Sequence, residues 1–147
     1  AFVREAARAA RAAGIELVDK RVRDPRKIPG LLDEMSDKID IFWMVPDSTV
    51  VTAETVDYLL RFSFDHNVPV FSFSKKYVEM GAVAALDVDP YDMGVQAAEI
   101  VNASLTNGNS AVREFARTSH LTINKNVAAK MGLAIRDEIN KKVKKGE

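Results

Sequence analysis

The chain has 147 residues, 47% hydrophobic and 29% charged, which is the composition of one globular domain rather than of a disordered segment. Its 21 acidic residues balance its 21 basic ones, so no net field recommends nucleic acid or an anionic membrane as the partner. It has no cysteine and only two histidines, His66 and His120, which excludes thiol catalysis, disulfides and cysteine-based or histidine-rich metal sites.

Phe2 to Ala13 reads as a helix whose small apolar stripe, Val3, Ala6, Ala10 and Ala13, is expected to pack on a sheet while Arg4, Arg8 and Arg11 face water. Gly14 supplies a left-handed cap, and "IELVDKRV" then reads as a strand. Pro25 sits near the start of a second helix, Arg26 to Ser36. "DIFWMV" is a near-continuous apolar run, the mark of a strand covered on both faces. Thr52 to His66 predicts a helix that buries Val56, Leu59, Leu60 and Ser63. "VPVFSF" is the next strand, and Lys75 to Met80 a short helix closed by Gly81. "AVAALDV" follows as a strand, and Pro90 then opens a helix running to about Leu105, before the turn "TNGNS". "HLTIN" is the last strand and Asn126 to Met131 the last packed helix, ended by Gly132. Arg136 to Lys145 forms a charged amphipathic tail. The chain opens inside a helix where this alternation calls for a strand, so a first strand and any targeting segment are expected upstream.

Alternating helices and strands with two-sided apolar strands predict an α/β fold, three-layer α/β/α with a mainly parallel sheet. In such sheets ligands bind outside the carboxyl ends of the strands. That edge carries Asp47, Ser48 and Thr49, together with the segments Arg21 to Asp24, Ser72 to Ser74 and Asp87 to Asp89. Asp47 can take an ammonium group. Ser48, Thr49 and the N–H groups opening the next helix can take polar or anionic parts of a ligand. The same residues also suit a purely structural task, because Asp and Ser cap loops and helices. Ser72 and Ser74 suit one helix cap and one cleft-facing hydroxyl. Asp87 and Asp89 point the same way along an extended chain and can serve acid–base chemistry, but Asp89 before Pro90 is most simply a cap.

The sequence has no glycine-rich phosphate loop, no nucleophile elbow and no metal-ligand spacing, and no cofactor or metal is expected. A receiver-type phosphoacceptor domain shares the alternation. It would also need an acidic pair after its first strand and a lysine after its last, and "HLTIN" leads into Asn124 and Lys125 in a different arrangement.

Four segments in order, "GIELV", "DIFWMVPDSTVVT", "NVPVFSFSKKYVEMGAVAALDVDPYDMGVQAAEI" and "LTINKNVAAKMGL", resemble the tryptophan/tyrosine-type substrate-binding proteins of ABC transporters. The markers are "PDST", "GAVAALDVDPYDMG" and "INKNVAAKMGL". The resemblance implies one lobe of a periplasmic-binding-protein type I fold, residues 1–133, followed by a charged tail, 134–147. It implies a non-catalytic, extracytoplasmic component of an importer that binds a small amino-acid-like ligand in a cleft shared with a second lobe and passes it to an ABC permease. Asp47, Ser48 and Thr49 would face that cleft, with Ser72, Ser74 and Asp87 along the neighbouring wall. A lobe lacking its first strand exposes a sheet edge, which a dimer or a borrowed strand is expected to cover. Two other readings compete: a ligand-sensing domain of a signalling or transcriptional regulatory protein, and an α/β enzyme with weak motifs.

Overall fold

The computed structural model describes residues 2–107, 114–136 and 139. These fall into two compact units. One joins Asp47–Val68 to the chain up to Asp40; the other joins Ile41–Pro46 to the chain from Pro69 onward.

The first unit is helical. Helix α1, Phe2–Ala12, ends where the sequence ends it: Gly14 takes φ 72° and the Ile15 N–H closes on the Ala10 carbonyl at 2.8 Å. The expected burial of its apolar stripe does not occur. No residue of α1 is buried, and Val3 keeps 47% of its surface exposed. Amphipathic spacing says which face is suited to burial; it does not supply the surface that buries it. The strand expected over "IELVDKRV" is likewise not formed. A strand is completed by the N–H and C=O groups of a neighbour, and no described residue pairs with 15–22 in a ladder.

The predicted second helix is split into a 3₁₀ turn, Pro25–Lys27, and α2, Ile28–Met35. Asp24 caps the turn, accepting from the Arg26 N–H at 3.1 Å and pairing with its guanidinium at 2.9 Å. Ile28, Leu32 and Met35 fall four and three residues apart and are buried, each contributing about 1.5–3 kcal/mol if fully transferred from water. Helix α3, Ala53–Asp65, packs against α2, and the Tyr58 hydroxyl donates to Asp33 across that contact at 3.2 Å. It buries Val56, Leu59, Leu60 and Ser63, as the spacing predicts, and also Thr55 and Phe62. The His66 ring stacks on Phe62 at 4.5 Å, and Asn67 turns the chain out of the helix at φ 53°, a conformation Asn tolerates.

The second unit holds the sheet, in the order β1-β2-β3-β4: Phe42–Trp43, Val70–Ser72, Ala84–Val88 and Ser119–Ile123. β1, β2 and β3 are parallel, whereas β4 runs antiparallel to β3, with Ala84 opposite Ile123 and Val88 opposite Ser119. The sheet is therefore mixed, mainly parallel. A period of two reads the same in either direction, so local pattern does not carry strand orientation. Only Phe42–Trp43 of the long run "DIFWMV" is regular strand, although the Met44 N–H still reaches the Phe71 carbonyl at 2.8 Å. Met44, Val70, Val78, Ala82, Ala85, Val127, Ala128 and Met131 form the buried apolar set of this unit.

Helix α4, Lys75–Met80, is capped by Gly81 at φ 129°. Helix α5, Pro90–Asn107, starts at the predicted proline, and α6, Lys125–Lys130, starts at Asn124. The Asn124 side chain accepts from the Val127 N–H at 3.0 Å and donates to the Val78 carbonyl at 3.1 Å, joining the start of α6 to the end of α4. Arg117 bridges Asp92 at 2.8 Å and Glu99 at 2.7 Å, while Gln96 bonds both Phe115 and Arg117, so the approach to β4 is pinned along α5. Most of the turn at "TNGNS" and of the charged tail lies outside the described residues.

Candidate functional site

The segment after β1 leaves the strand through Pro46 and enters α3 at Ala53. Asp47 is exposed, and its carboxylate folds back so that Oδ1 accepts from the Thr49 N–H at 2.8 Å. Its carbonyl accepts from the Val50 and Val51 N–H groups at 3.1 and 2.8 Å. These bonds make a closed turn of the kind Asp favours. One carboxylate oxygen is consumed; the other, Oδ2, has no donor among the described residues. Ser48 is exposed and Thr49 half-buried, and neither side chain has a hydrogen-bond partner among the described residues.

The turn passes into α3 through a reciprocal cap. Thr52 is extended at φ −107° and ψ 163°, its Oγ1 accepting from the Thr55 N–H at 3.2 Å, while the Thr52 N–H donates to Thr55 Oγ1 at 3.0 Å. The Thr55 hydroxyl also reaches back to the Val50 carbonyl. Neither Thr52 nor Thr55 stands out as a site residue in the sequence. The signal was present as the spacing Thr52–Ala53–Glu54–Thr55, a capping box with Thr in the place usually held by Glu or Gln.

The other predicted site residues lie in the second unit and form a cluster of their own. Ser72 is 1% exposed, and its hydroxyl contacts the carbonyls of Ser74 and Ala84 at 3.2 and 3.3 Å. Ser74 is the N-cap of α4, accepting from the Lys76 N–H at 3.4 Å. Asp87, from the next strand, accepts from the Lys75 N–H at 2.5 Å, so two side chains converge on the start of one short helix. Asp89 is the cap the proline implied: it accepts from the Asp92 N–H at 2.8 Å and lies 3.3 Å from His120 Nε2. The first of these bonds, with His120 beside it, holds the Asp89 carboxyl below its ordinary pKa. Asp92 is likewise lowered, chiefly by its bond from Arg117.

Of the segments expected at the ligand edge, Arg21 to Asp24 contributes the cap and ion pair at Asp24. Among the described residues, no group of three or more His, Asp or Glu side chains is placed to hold a metal ion. No helix there is long and apolar enough to cross a membrane.

Comparison with known proteins gives a consistent set of likenesses. The family model described as ABC transporter substrate binding protein matches residues 1–146. A conserved domain protein from Vibrio cholerae is 28% identical with a TM-score of 0.73, the match covering 96% of this chain and 48% of that one. An ABC domain from Streptococcus pneumonia, solved in complex with L-Trp, is 24% identical with a TM-score of 0.74 and the same coverage. The ligand-free, open form of a substrate-binding protein with adhesive properties from Clostridium difficile is 18% identical with a TM-score of 0.66, covering 94% and 47%. The chain thus spans about half the length of the solved structures it matches. No curated protein matches it.

Proposed function

Because this chain belongs to the ABC transporter substrate-binding protein family and has the fold of one lobe of a periplasmic-binding-protein type I structure, we propose that it is the solute-binding component of an importer. In this reading it is non-catalytic, acts outside the cytoplasm, and delivers a small amino-acid-like ligand to an ABC permease. Residues 1–133 act as a ligand-binding lobe that closes on the ligand with a second lobe, and 134–147 form a charged tail.

The observation that carries the proposal is the state of Asp47. It is an exposed carboxylate in the turn that leads into α3, held in place through one oxygen with the other left to accept. An ammonium group suits that oxygen, and a charge-assisted bond there is stronger than a neutral one. Ser48 and Thr49 offer hydroxyls beside it for the ligand's carboxylate. Ser72, Ser74 and Asp87 hold the loop between β2 and α4 through their own hydrogen bonds. The streptococcal protein was solved with L-Trp bound, which makes aromatic amino acids the first compounds to try.

The test is calorimetric titration of the full natural protein with the standard L-amino acids, L-tryptophan first. Saturable binding of at least one, with the compound recovered unchanged, is expected. No binding across the panel, or chemical conversion of the bound compound, would overturn the proposal. The reading also carries the expectation of a dimer through the sheet edge. Sedimentation at high concentration checks it, and a monomer throughout removes it.

A further inference from the structure

Thr55 lies at the third position of α3 with 9% of its surface exposed. Its hydroxyl has one proton to give and two lone pairs to receive with. The proton is directed at the Val50 carbonyl, and a lone pair receives the Thr52 N–H at 3.0 Å. Its own N–H donates to Thr52 Oγ1 at 3.2 Å. One buried side chain therefore grips both the end of the Asp47 turn and the cap of α3.

An ionised Glu, the common residue at this position, accepts only. It can hold the Thr52 N–H but has no proton for the Val50 carbonyl. Threonine does both. At the other end of the segment the turn holds itself, through Asp47 Oδ1 on the Thr49 N–H and the Asp47 carbonyl on the Val50 and Val51 N–H groups. The Val50 carbonyl also accepts from the Thr52 N–H at 3.1 Å, so the Thr55 hydroxyl is the one side-chain bond among these contacts that ties the closed turn to the body of the helix beyond Thr52.

We infer that Thr55 is the positioning residue of the Asp47 loop: it fixes the direction in which the second carboxylate oxygen of Asp47 is presented to a ligand ammonium. The inference rests on the proposed role of Asp47, and it adds a residue that touches no ligand.

The experiment compares Thr55→Val, Thr55→Ser, Asp47→Asn and the double variant Asp47→Asn/Thr55→Val in the full natural protein. Thr55→Val keeps the branched shape and removes the hydroxyl; if it does not fold, Thr55→Ala takes its place. Amide hydrogen exchange at Val50, Val51 and Thr52 should rise about tenfold in Thr55→Val and return to the wild-type rate in Thr55→Ser. L-tryptophan affinity, measured well below the melting temperature, should fall about tenfold in Thr55→Val, and no further when that change is added to Asp47→Asn. Unchanged exchange overturns the inference and leaves the Asp47 site standing. So does faster exchange with unchanged L-tryptophan affinity, provided Asp47→Asn weakens binding. If Asp47→Asn itself binds L-tryptophan as well as wild type does, the site falls and the inference with it. The exchange measurement needs no ligand and decides whether the loop is held by Thr55 whatever the titration gives.

Discussion

Asp47 with Ser48 and Thr49, and Asp87 with Ser72 and Ser74, use nearly the same side chains at loops that follow strands. Their hydrogen bonds divide them. In the second cluster Ser72 is turned inward onto two carbonyls, Ser74 caps a helix and Asp87 accepts from the same helix start. Each of these side chains is engaged in holding β2, β3 and α4 together. In the first cluster only one oxygen of Asp47 is engaged, and the hydroxyls of Ser48 and Thr49 bond to no described residue. Residue type alone does not tell these two loops apart; which side-chain atoms bond within the chain does.

The largest expected effect contrasts the two aspartates. Asp47→Asn should weaken amino-acid binding by about ten- to a hundredfold, the worth of a charge-assisted bond, while the melting temperature of the ligand-free protein barely moves. Asp87→Ala should do the reverse, removing about 1 kcal/mol of stability as lost caps do, with affinity unchanged in calorimetry. If the two outcomes were exchanged, the roles assigned to the clusters would be exchanged too.

A second pair sharpens the difference between engaged and unengaged hydroxyls. Ser72→Ala removes a buried hydroxyl that bonds the Ser74 and Ala84 carbonyls and should cost about 1–2 kcal/mol in urea unfolding. Ser63 is fully buried in α3, and its hydroxyl has no partner among the described residues. Ser63→Ala should therefore raise stability, by about 0.5–1 kcal/mol, because it removes an unpaired polar atom and improves helix propensity. Equal signs for the two serines would show that hydrogen-bond accounting does not govern these positions.

The smallest effect is in acid. Asp89 and Asp92 have folded pKa values below those of the unfolded chain, from the bonds given by the Asp92 N–H and by Arg117 respectively. Their stabilisation is present above about pH 4 and is lost as the pH falls through the lowered folded values. Asp92→Asn should flatten that limb of the stability curve, read as urea unfolding free energy against pH. A limb unchanged by Asp92→Asn would remove this link.

Much of the fold was legible because its signals are local. Gly14, Gly81 and the Asp89–Pro90 pair end or begin helices through their own side chains and φ angles, and the structure uses each where the sequence puts it. The inner face of α3 was readable from spacing for the same reason. What failed depends on partners that local sequence does not encode: the missing ladder for 15–22 and the unburied stripe of α1. Within the candidate site, residue types and loop positions were legible, but the engagement of Ser72 and Asp87 was not. The partner of Asp87, a backbone N–H at a helix start, comes from a segment twelve residues earlier. Thr55 was missed because the usual capping pattern expects Glu or Gln.

In the proposed function, Asp47 takes the cationic end of an amino-acid ligand. The measurement that reaches it most directly is a crystal structure of the full natural protein with a bound amino acid. The ligand ammonium is expected about 2.7–2.9 Å from the second carboxylate oxygen of Asp47, with the Thr49 N–H still on the first. An ammonium seated on a different carboxylate, with the Asp47 loop facing only water, would contradict it.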